Sequence, residues 1–360
     1  MEAMTFLILL IIMPLIVVAA DNVPAPADLA QVETWFAQNV QPFAYRKGLD
    51  PALVTAESGT PTIINVRAAG GGDFRTLTEA VDNIPEGNTN RVVINIGPGS
   101  YFEKVTIPRS KPFVTLYGAP ENMPAVLANN TAAVLGTIET ATVIVESDYF
   151  MAVNVIFANK APRPYKGEKG GQALALRISG DKAAFYNCRF LGFQDTICDH
   201  QGLHFFKDCY VEGTVDFIFG NGKSIYLNVE THVIPGDNFA VITAQGRNNS
   251  GDDTGYSFIH GNVTGAGKTT FLGRSWMPYA ATVFSYTDMS DVVHPQGWFD
   301  NFHPETEKTV YFGEFNCIGV GAKLDDRVGF SKKLSEPEAT PFLTLGYINA
   351  SIWLLPPPSL

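Results

Sequence analysis

Residues 185–220 read FYNCRFLGFQDTICDHQGLHFFKDCYVEGTVDFIFG, and this stretch contains two copies of one pattern that are 21 residues apart. A weaker third copy places Tyr226 and Asn228 a further 20 residues along. Aromatic and β-branched segments that recur at a short fixed period, with Gly and Asn or Asp between them, are typical of a solenoid whose turns stack. The sequence therefore predicts an all-β fold, a right-handed parallel β-helix with short capping helices. The paired positions are Phe185 and Phe206, Asn187 and Asp208, Cys188 and Cys209, Gly192 and Gly213, and Asp195 and Asp216.

The repeat places two carboxylates side by side. Asp195 and Asp216 occupy equivalent positions on neighbouring turns, whose strands lie about 4.8 Å apart. Their pKa values are expected to separate, which leaves one proton donor and one charged nucleophile or base. Gln172 precedes Gln194 by 22 residues and is expected on the same surface. Two carboxylates flanked by amides predict a hydrolytic site; a structural ladder of polar side chains and a glycosidase pair are the alternatives.

The composition limits the partners. The chain has 360 residues, of which 46% are hydrophobic, enough to bury the core of one large domain. Its formal net charge is -11 and its pI is near 5.0. Nucleic acid and anionic membranes both favour basic surfaces, so neither is expected as a partner.

The first 20 residues predict a secretory signal peptide. An apolar run over residues 6–18 is too short to span a bilayer, and it ends in the small residues Ala19 and Ala20. A buried N-terminal strand is the alternative. We expect a mature protein that begins near Asp21 and is secreted, with an N-terminal segment over residues 21–60 and the β-helix domain with its C-terminal tail over 61–360.

Four cysteines remain in a compartment that permits disulfides. Cys188 and Cys209 lie one turn apart, which brings their Cα atoms into the range of a disulfide; two stacked buried thiols are the equal alternative. No metal is expected, because the chain has neither a CxxC nor an HExxH pattern and its six histidines are dispersed.

Two helices are predicted before the coil. Apolar residues at helical spacing predict an amphipathic helix over residues 28–46, capped by Asp28 and ended or bent at Pro42. We expect it to pack against the side or end of the solenoid; an interaction helix is the alternative. A second helix over residues 76–84 follows a Gly-rich loop. That loop lacks the GK[ST] ending of a phosphate site, so we expect this helix to cap the end of the coil.

Short strands are expected over most of the remaining chain. Residues 159–171 interrupt the period and predict a surface loop near Gln172, and the chain beyond Cys317 predicts a looser tail. Sequons for N-glycosylation occur at Asn129, Asn248, Asn262 and Asn349. Strands are predicted at residues 62–66, 92–96, 105–107, 114–117, 142–145, 152–157, 173–178, 241–244, 257–263 and 282–286.

Five blocks in order resemble the plant pectin methylesterases, or pectinesterases. They are GSYFEKV at 99–105, QALAL at 172–176, QDTI at 194–197, DFIFG at 216–220 and LGRSW at 272–276, and the GGGDF segment at 70–74 and HPQGW at 294–298 extend the likeness. The resemblance covers nearly all of the chain after residue 20. It implies a secreted ester hydrolase without a cofactor that removes methyl esters from pectin in the plant cell wall. A wall-binding homologue without activity is the rival interpretation.

The resemblance also implies a role for each site residue. Asp216 matches the nucleophile, Asp195 the general acid and base, and Arg274 the guanidinium that pairs with the nucleophile. Gln172 and Gln194 match the amides that stabilise the oxyanion. Trp276 and Trp298 match aromatic residues that contact sugar rings, with a core role as the alternative for Trp298; Phe157 and Phe219 are expected in the core.

Some positions depart from the family pattern. Ser275 stands in place of a proline, which predicts a slightly looser Arg274, and Cys198 stands where many members have tyrosine. The long N-terminal inhibitor-like region of many plant members is missing, so the chain looks most like the short, pollen-type enzymes. The implied partners are methyl-esterified pectin and a proteinaceous pectinesterase inhibitor.

Overall fold

The computed structural model describes residues 21–165, 167–236 and 239–358, and it is a parallel β-helix. Three parallel sheets run the length of the coil, and each turn passes from a long sheet to a middle sheet and then to a sheet that carries the candidate site, the site sheet. The predicted fold class is therefore confirmed. The signal peptide predicted for residues 1–20 lies outside the described residues.

The sheets contain 11, 8 and 8 strands. The long sheet consists of Thr62–Val66, Val92–Ile96, Val114–Tyr117, Met151–Val153, Ala183–Tyr186, Leu203–Lys207, Lys223–Leu227, Gly255–Ile259, Ala281–Ser285, Tyr311–Phe315 and Ser331–Lys333. The middle sheet consists of Ser100–Phe102, Ala125–Ala128, Ile156–Asn159, Arg189–Leu191, Tyr210–Gly213, Glu230–Val233, Asn262–Gly265 and Asp288–Met289. The site sheet consists of Val105–Ile107, Val143–Val145, Leu176–Ile178, Ile197–Asp199, Ile218–Gly220, Ala240–Gln245, Thr270–Arg274 and Trp298–Phe299.

The repeat seen in the sequence is a ladder of stacked rings inside the coil. Phe185 pairs in register with Phe206, and Phe206 with Tyr226. The ring centroids of each pair are 4.6 Å apart, and the planes differ by only 4° to 5°. Phe258 and Phe284 continue the ladder at 4.5 and 4.4 Å. Because all five rings are buried, this stack supplies much of the apolar area that holds neighbouring turns together.

The α-helices lie at the end and on one side of the coil. Thr76 and Glu79 form a capping box on the helix that follows the Gly-rich loop, and Glu103 of the GSYFEKV block accepts hydrogen bonds from the backbone of Leu77 and Thr78. This helix packs over the first turns of the coil, as predicted. The α-helices are α1 (Val32–Asn39), α2 (Pro51–Glu57), α3 (Leu77–Asp82), α4 (Ala132–Leu135) and α5 (Glu336–Leu343), and short 3-10 segments occupy Leu29–Gln31, Phe43–Tyr45, Pro120–Asn122, Thr137–Thr140, Pro304–Lys308, Val320–Ala322, Leu345–Ile348 and Ala350–Ile352.

Both ends of the described chain cover the outer face of the long sheet. Trp35 and Phe36 of α1 and Trp353 near the C-terminus are buried in one apolar cluster there. The Arg46 guanidinium donates to the carbonyls of Ser351 and Leu354 at 2.6 and 2.9 Å. The expected loose tail is therefore a packed layer, because it covers apolar side chains that the sheet would otherwise expose.

Several element boundaries differ from the prediction, and two of the predicted strands are divided for the same reason. The predicted strand over residues 152–157 is two strands that belong to different sheets, because Asn154 adopts a left-handed conformation (φ 56°) and turns the chain. His260 (φ 59°) divides the predicted strand over residues 257–263 in the same way. The predicted helix over residues 28–46 ends at Asn39, before Pro42, and α2 was not predicted.

Candidate active site

Asp195 and Asp216 lie side by side where two neighbouring turns enter the site sheet. Ile197 pairs with Ile218 in register, and the Asp195 amide donates to the Val215 carbonyl at 3.0 Å. Both aspartates have left-handed backbone conformations, with φ of 65° and 51°. The chain thus turns sharply at each carboxylate, and aspartate is one of the residues that tolerates this conformation.

The repeated glycine before each aspartate permits this turn. A Cβ atom on Gly213 would lie 2.2 Å from the Phe217 Cβ and 2.7 Å from the Phe193 carbonyl oxygen. No side chain fits at that distance. At the paired Gly192 a Cβ atom would lie 2.9 Å from the Thr196 hydroxyl, so both turns are tight and the one before Asp216 is the tighter.

Arg274 donates two hydrogen bonds to the carboxylate of Asp216. Its Nε atom donates to Oδ1 at 2.7 Å, and an Nη atom donates to Oδ2 at 2.6 Å. The two side chains are only 17% and 10% exposed. Burial disfavours the charged guanidinium, but the hydrogen bonds and charge of Asp216 raise the pKa of Arg274. A bidentate pair of this kind fixes the orientation of the carboxylate as well as its charge.

Asp195 differs from Asp216, because its surroundings disfavour the charged form of its carboxyl group. Burial raises the pKa of Asp195 well above its usual range, and the negative charge of Asp216 raises it further. The charge of Arg274 and a hydrogen bond with Gln194 oppose this shift without cancelling it. The geometry thus favours one protonated and one ionised carboxyl group at adjacent positions.

The predicted residues surround a single open cavity of about 310 Å³. Gln172 and Gln194 line it together with both aspartates and Arg274, and the Ala173 amide donates to the Gln194 carbonyl, which keeps the two glutamines on adjacent turns. The structure therefore brings together the carboxylate pair and the three residues predicted beside it. Thr137, Ile138 and Ala244 also line the cavity and were not predicted.

The floor of the cavity is apolar. It is the outward face of the site sheet, where Phe219 and Ala244 line the cavity and Cys198 is buried in the same apolar cluster. Trp276 is 38% exposed at the rim, and its ring meets that of Phe219 edge to face at 5.9 Å. Phe219 is buried, as expected, but the alternation of the strand turns Ile218 into the lumen and Phe219 into a separate apolar cluster on the outward face, where it also lines the cavity.

Trp298 is a core residue, so the prediction that it contacts sugar rings is wrong. Its side chain is fully buried inside the coil, stacked on Phe312 at 4.6 Å. Its indole donates to Glu314 at 3.1 Å, and Arg327 pairs with that same carboxylate. The tryptophan of the HPQGW block thus packs the interior, and Trp276 is the tryptophan that lines the cavity.

Ser275 is held firmly in place of the usual proline. Its hydroxyl donates to the Asp300 carbonyl at 2.6 Å and accepts from the Thr306 hydroxyl at 2.9 Å. The residue is 2% exposed. The expected loosening of Arg274 is therefore offset by two hydrogen bonds that proline could not make.

A second cavity of about 570 Å³ adjoins the first and shares Gln194 with it. Its walls are rich in aromatic residues, of which Tyr165 and Phe302 are 74% and 85% exposed. The predicted surface loop at residues 159–171 forms one side. Sequence reasoning missed this cavity, because its aromatic residues come from separate loops and from the strand Trp298–Phe299.

The four cysteines are free thiols. Cys188 and Cys209 are stacked in the coil interior as the repeat predicts, and the Cys188 amide donates to the Cys209 sulfur at 3.4 Å. Of the two alternatives, the structure has the pair of buried thiols. Within the described ranges, no group of three or more His, Cys, Asp or Glu side chains is arranged to hold a metal ion.

The fold and the sequence both match known pectinesterases. The structure superposes on the pectin methylesterase from carrot with a TM-score of 0.74 and 32% identity, covering 80% of this chain and 93% of the carrot chain. The pectin methylesterase from Aspergillus niger gives a TM-score of 0.71 with 25% identity over 83% of this chain and 98% of that chain. The class that the fold defines is thus the parallel β-helix of the pectin methylesterases.

The family follows from the sequence. The pectinesterase family model matches residues 63–351. Pectinesterase 2 of Olea europaea is 54% identical over 344 residues, covering 95% of this chain and 93% of the relative. Probable pectinesterase 50 of Arabidopsis thaliana is 52% identical over 344 residues, covering 95% of this chain and 94% of that protein. The chain belongs to the pectinesterase family.

Proposed function

We propose that this protein is a pectinesterase that removes methyl esters from homogalacturonan and releases methanol. The single observation that carries the assignment is the adjacent pair of carboxyl groups with opposite environments. Arg274 holds Asp216 by two hydrogen bonds, whereas Asp195 is buried and has a raised pKa. One carboxylate is thereby prepared to attack and the other to donate a proton.

In the first step, an oxygen of Asp216 attacks the ester carbonyl carbon of a galacturonate unit. The bidentate contact with Arg274 leaves each carboxylate oxygen a second lone pair for this attack. The amides of Gln172 and Gln194 donate to the oxyanion that forms. Asp195 gives its proton to the methoxy oxygen, the carbon–oxygen bond breaks, and methanol leaves.

In the second step, water cleaves the acyl-enzyme. Asp195, now ionised, takes a proton from water, and the hydroxide attacks the carbonyl carbon of the mixed anhydride. The bond to Asp216 breaks, which restores ionised Asp216 beside protonated Asp195 and releases the galacturonic acid unit, whose carboxyl group then loses its proton to solvent. Burial supports this cycle, because it raises the pKa of Asp195 and so favours the protonated form that the first step requires.

The decisive assay separates ester cleavage from cleavage of the sugar backbone. Highly methyl-esterified pectin is incubated with the full chain after residue 20, and methanol and new reducing ends are measured in the same sample. Methanol without reducing ends supports the esterase. Reducing ends without methanol would point to the glycosidase alternative, and neither product from a folded protein would favour a pectin-binding homologue.

We also propose that the protein acts in the cell wall after removal of residues 1–20. Across the part of the chain that the structure describes, no helix is both long and apolar enough to cross a membrane. The four sequon asparagines, Asn129, Asn248, Asn262 and Asn349, are all exposed and open to glycosylation. Sequencing the N-terminus of the protein from the medium of expressing plant cells tests this location; retention of residues 1–20 inside the cell would contradict it.

A proteinaceous pectinesterase inhibitor is the proposed protein partner. The exposed aromatic side chains of Tyr165, Trp276 and Phe302 beside the two cavities give such a protein an apolar surface to cover. Loss of methanol release on addition of inhibitor, restored by Phe302→Ser, is the expected result. Unchanged activity at saturating inhibitor would exclude the partner.

A further inference from the structure

The interior of the coil contains a polar network that the proposed reaction does not use. Asp199 and His204 face each other inside the lumen, and their side chains have no exposed surface. His204 Nδ1 lies 2.5 Å from Asp199 Oδ1, and the Tyr226 hydroxyl donates to Asp199 Oδ2 at 2.7 Å. A charged pair in an otherwise aromatic lumen is costly unless every polar atom is paired.

The hydrogen bonds define the protonation state of the pair. His204 Nε2 lies 2.9 Å from the Gly180 carbonyl oxygen, which only accepts, so this nitrogen carries a proton. The titratable groups around His204 are Asp199 on the site sheet, Asp181 in the preceding turn, and Tyr226 and Tyr256 on the long sheet. Although burial opposes the charged form, Asp199 raises the pKa of His204. The pair is therefore an imidazolium and a carboxylate that share one proton and have no net charge.

The network reaches the backbone of three successive turns. Gly180 follows the strand Leu176–Ile178, and its carbonyl accepts from His204. Asp199 ends the next strand of the site sheet. Gly220 ends the strand after that, and its carbonyl accepts from the Tyr256 hydroxyl at 2.8 Å, while the same hydroxyl approaches the Asp199 carbonyl at 3.3 Å.

The backbone is packed directly against the buried carboxylate. The Gly222 amide donates to the Asp199 carbonyl at 2.9 Å. A Cβ atom at Gly222 would lie only 2.0 Å from Asp199 Oδ1, so a side chain there would displace the carboxylate. The turn after the strand Ile218–Gly220 is thereby fixed relative to Asp199.

The three strands that the network joins follow the candidate site residues Gln172, Asp195 and Asp216 in the chain. They are Leu176–Ile178, Ile197–Asp199 and Ile218–Gly220. We propose that Asp199 and His204 are positioning residues, which tie the far ends of the three strands together inside the coil and so fix the spacing of the catalytic groups on the outside. This inference rests on the proposed function, because its effect is measured as turnover. A displacement of about 1 Å at the reacting groups can lower a rate by about two orders of magnitude.

The chain offers a matched pair of variants to test this role. Tyr226→Phe removes one hydrogen bond to Asp199, and Tyr186→Phe removes one hydrogen bond of 2.6 Å to the Leu355 carbonyl on the outer side of the same sheet. Both tyrosines are buried, so both variants should lose similar thermal stability. Only Tyr226→Phe is expected to lower kcat, by about fivefold with KM within about twofold.

A second pair of variants tests the charge. His204→Gln leaves Asp199 without a cation and should lower kcat by at least about tenfold at temperatures well below Tm. Adding Asp199→Asn removes the unpaired charge and restores an amide–amide contact, so kcat should recover to within about fivefold of the parent.

The outcomes are distinct. Lower kcat in Tyr226→Phe alone, with recovery in the His204→Gln, Asp199→Asn double variant, supports the positioning role. Equal losses of Tm in both tyrosine variants with parental kcat would overturn it and leave a purely structural network. If His204→Gln fails to fold, the two tyrosine variants decide the question. A parent that releases no methanol would instead refute the proposed function.

Discussion

Two ion pairs occupy the outside and the inside of the coil. Asp216 and Arg274 lie on its outer face, with side chains 10% and 17% exposed, whereas Asp199 and His204 lie in the lumen with no exposure. The outer pair lines an open cavity of about 310 Å³, whereas the inner pair is enclosed and bonded to Gly180 and Tyr226. Both pairs join a carboxylate to a cationic side chain. They differ in access, because only the outer pair can be reached from the cavity.

The largest effect is expected on the outer face at Asp195. Asp195→Asn keeps the size of the side chain but removes the proton that the methoxy group requires, so kcat should fall by about 10² to 10⁴. Methanol release under saturating pectin measures the change. Gln245→Asn, a buried amide that does not line the cavity, is the control; a parental rate in Asp195→Asn would mean that the outer face lacks this acid.

The oxyanion donors are expected to rank next. Gln172→Ala should lower kcat by about 10² to 10³ with a smaller change in KM, because the amide acts on charge that develops only in the transition state. Stopped-flow or pH-stat rates on the same substrate distinguish the two parameters. A change confined to KM would reassign Gln172 to binding of the ground state.

Variants of two tryptophans test the difference between the inside and the outside of the coil. Trp298→Ala empties a fully buried site and should cost about 3 to 5 kcal/mol of unfolding free energy. Trp276→Ala, at the rim of the cavity, should leave stability nearly unchanged and raise KM by about two- to tenfold. Urea unfolding and steady-state kinetics on both variants provide the comparison, and the reverse pattern would mean that Trp298 reaches the substrate.

The smallest effect concerns pH and the inner pair. Because the folded-state pKa of His204 is raised, its contribution to stability is complete below the unfolded pKa of about 6.5 and is lost as pH rises through the folded value. Urea midpoints from about pH 5 to about pH 9 should fall on the alkaline side in the parent. The same fall in the His204→Gln, Asp199→Asn variant would assign it to another group.

The sequence predicted the features that follow directly from its 21-residue repeat. Residues 21 apart stack in a coil, so the spacing alone predicted that Phe185 and Phe206, Cys188 and Cys209, and Asp195 and Asp216 are neighbours. It did not decide whether the two cysteines form a disulfide. Arg274 came from the family resemblance, since its partner Asp216 is 58 residues earlier and no local pattern links the two.

Other features depend on which way a side chain points. Trp298 and Trp276 both lie in or beside short strands of the site sheet, and the sequence alone does not distinguish the lumen from the cavity. Asp199 and His204 lie on either side of a corner of the coil, so neither the period nor the spacing of five residues identifies them as a pair. The aromatic cavity at Phe302 combines separate loops, whose approach is a property of the folded coil.

The covalent bond between Asp216 and the substrate is the step on which the proposed reaction depends. The most direct measurement is kcat for methanol release by Asp216→Asn beside the parent, with circular dichroism and Tm establishing that both are folded. An uncharged amide is a far weaker nucleophile, so we expect a loss of at least about 10³. A variant that stays within about tenfold of the parent would contradict the covalent role of Asp216 and move the nucleophile elsewhere on the outer face.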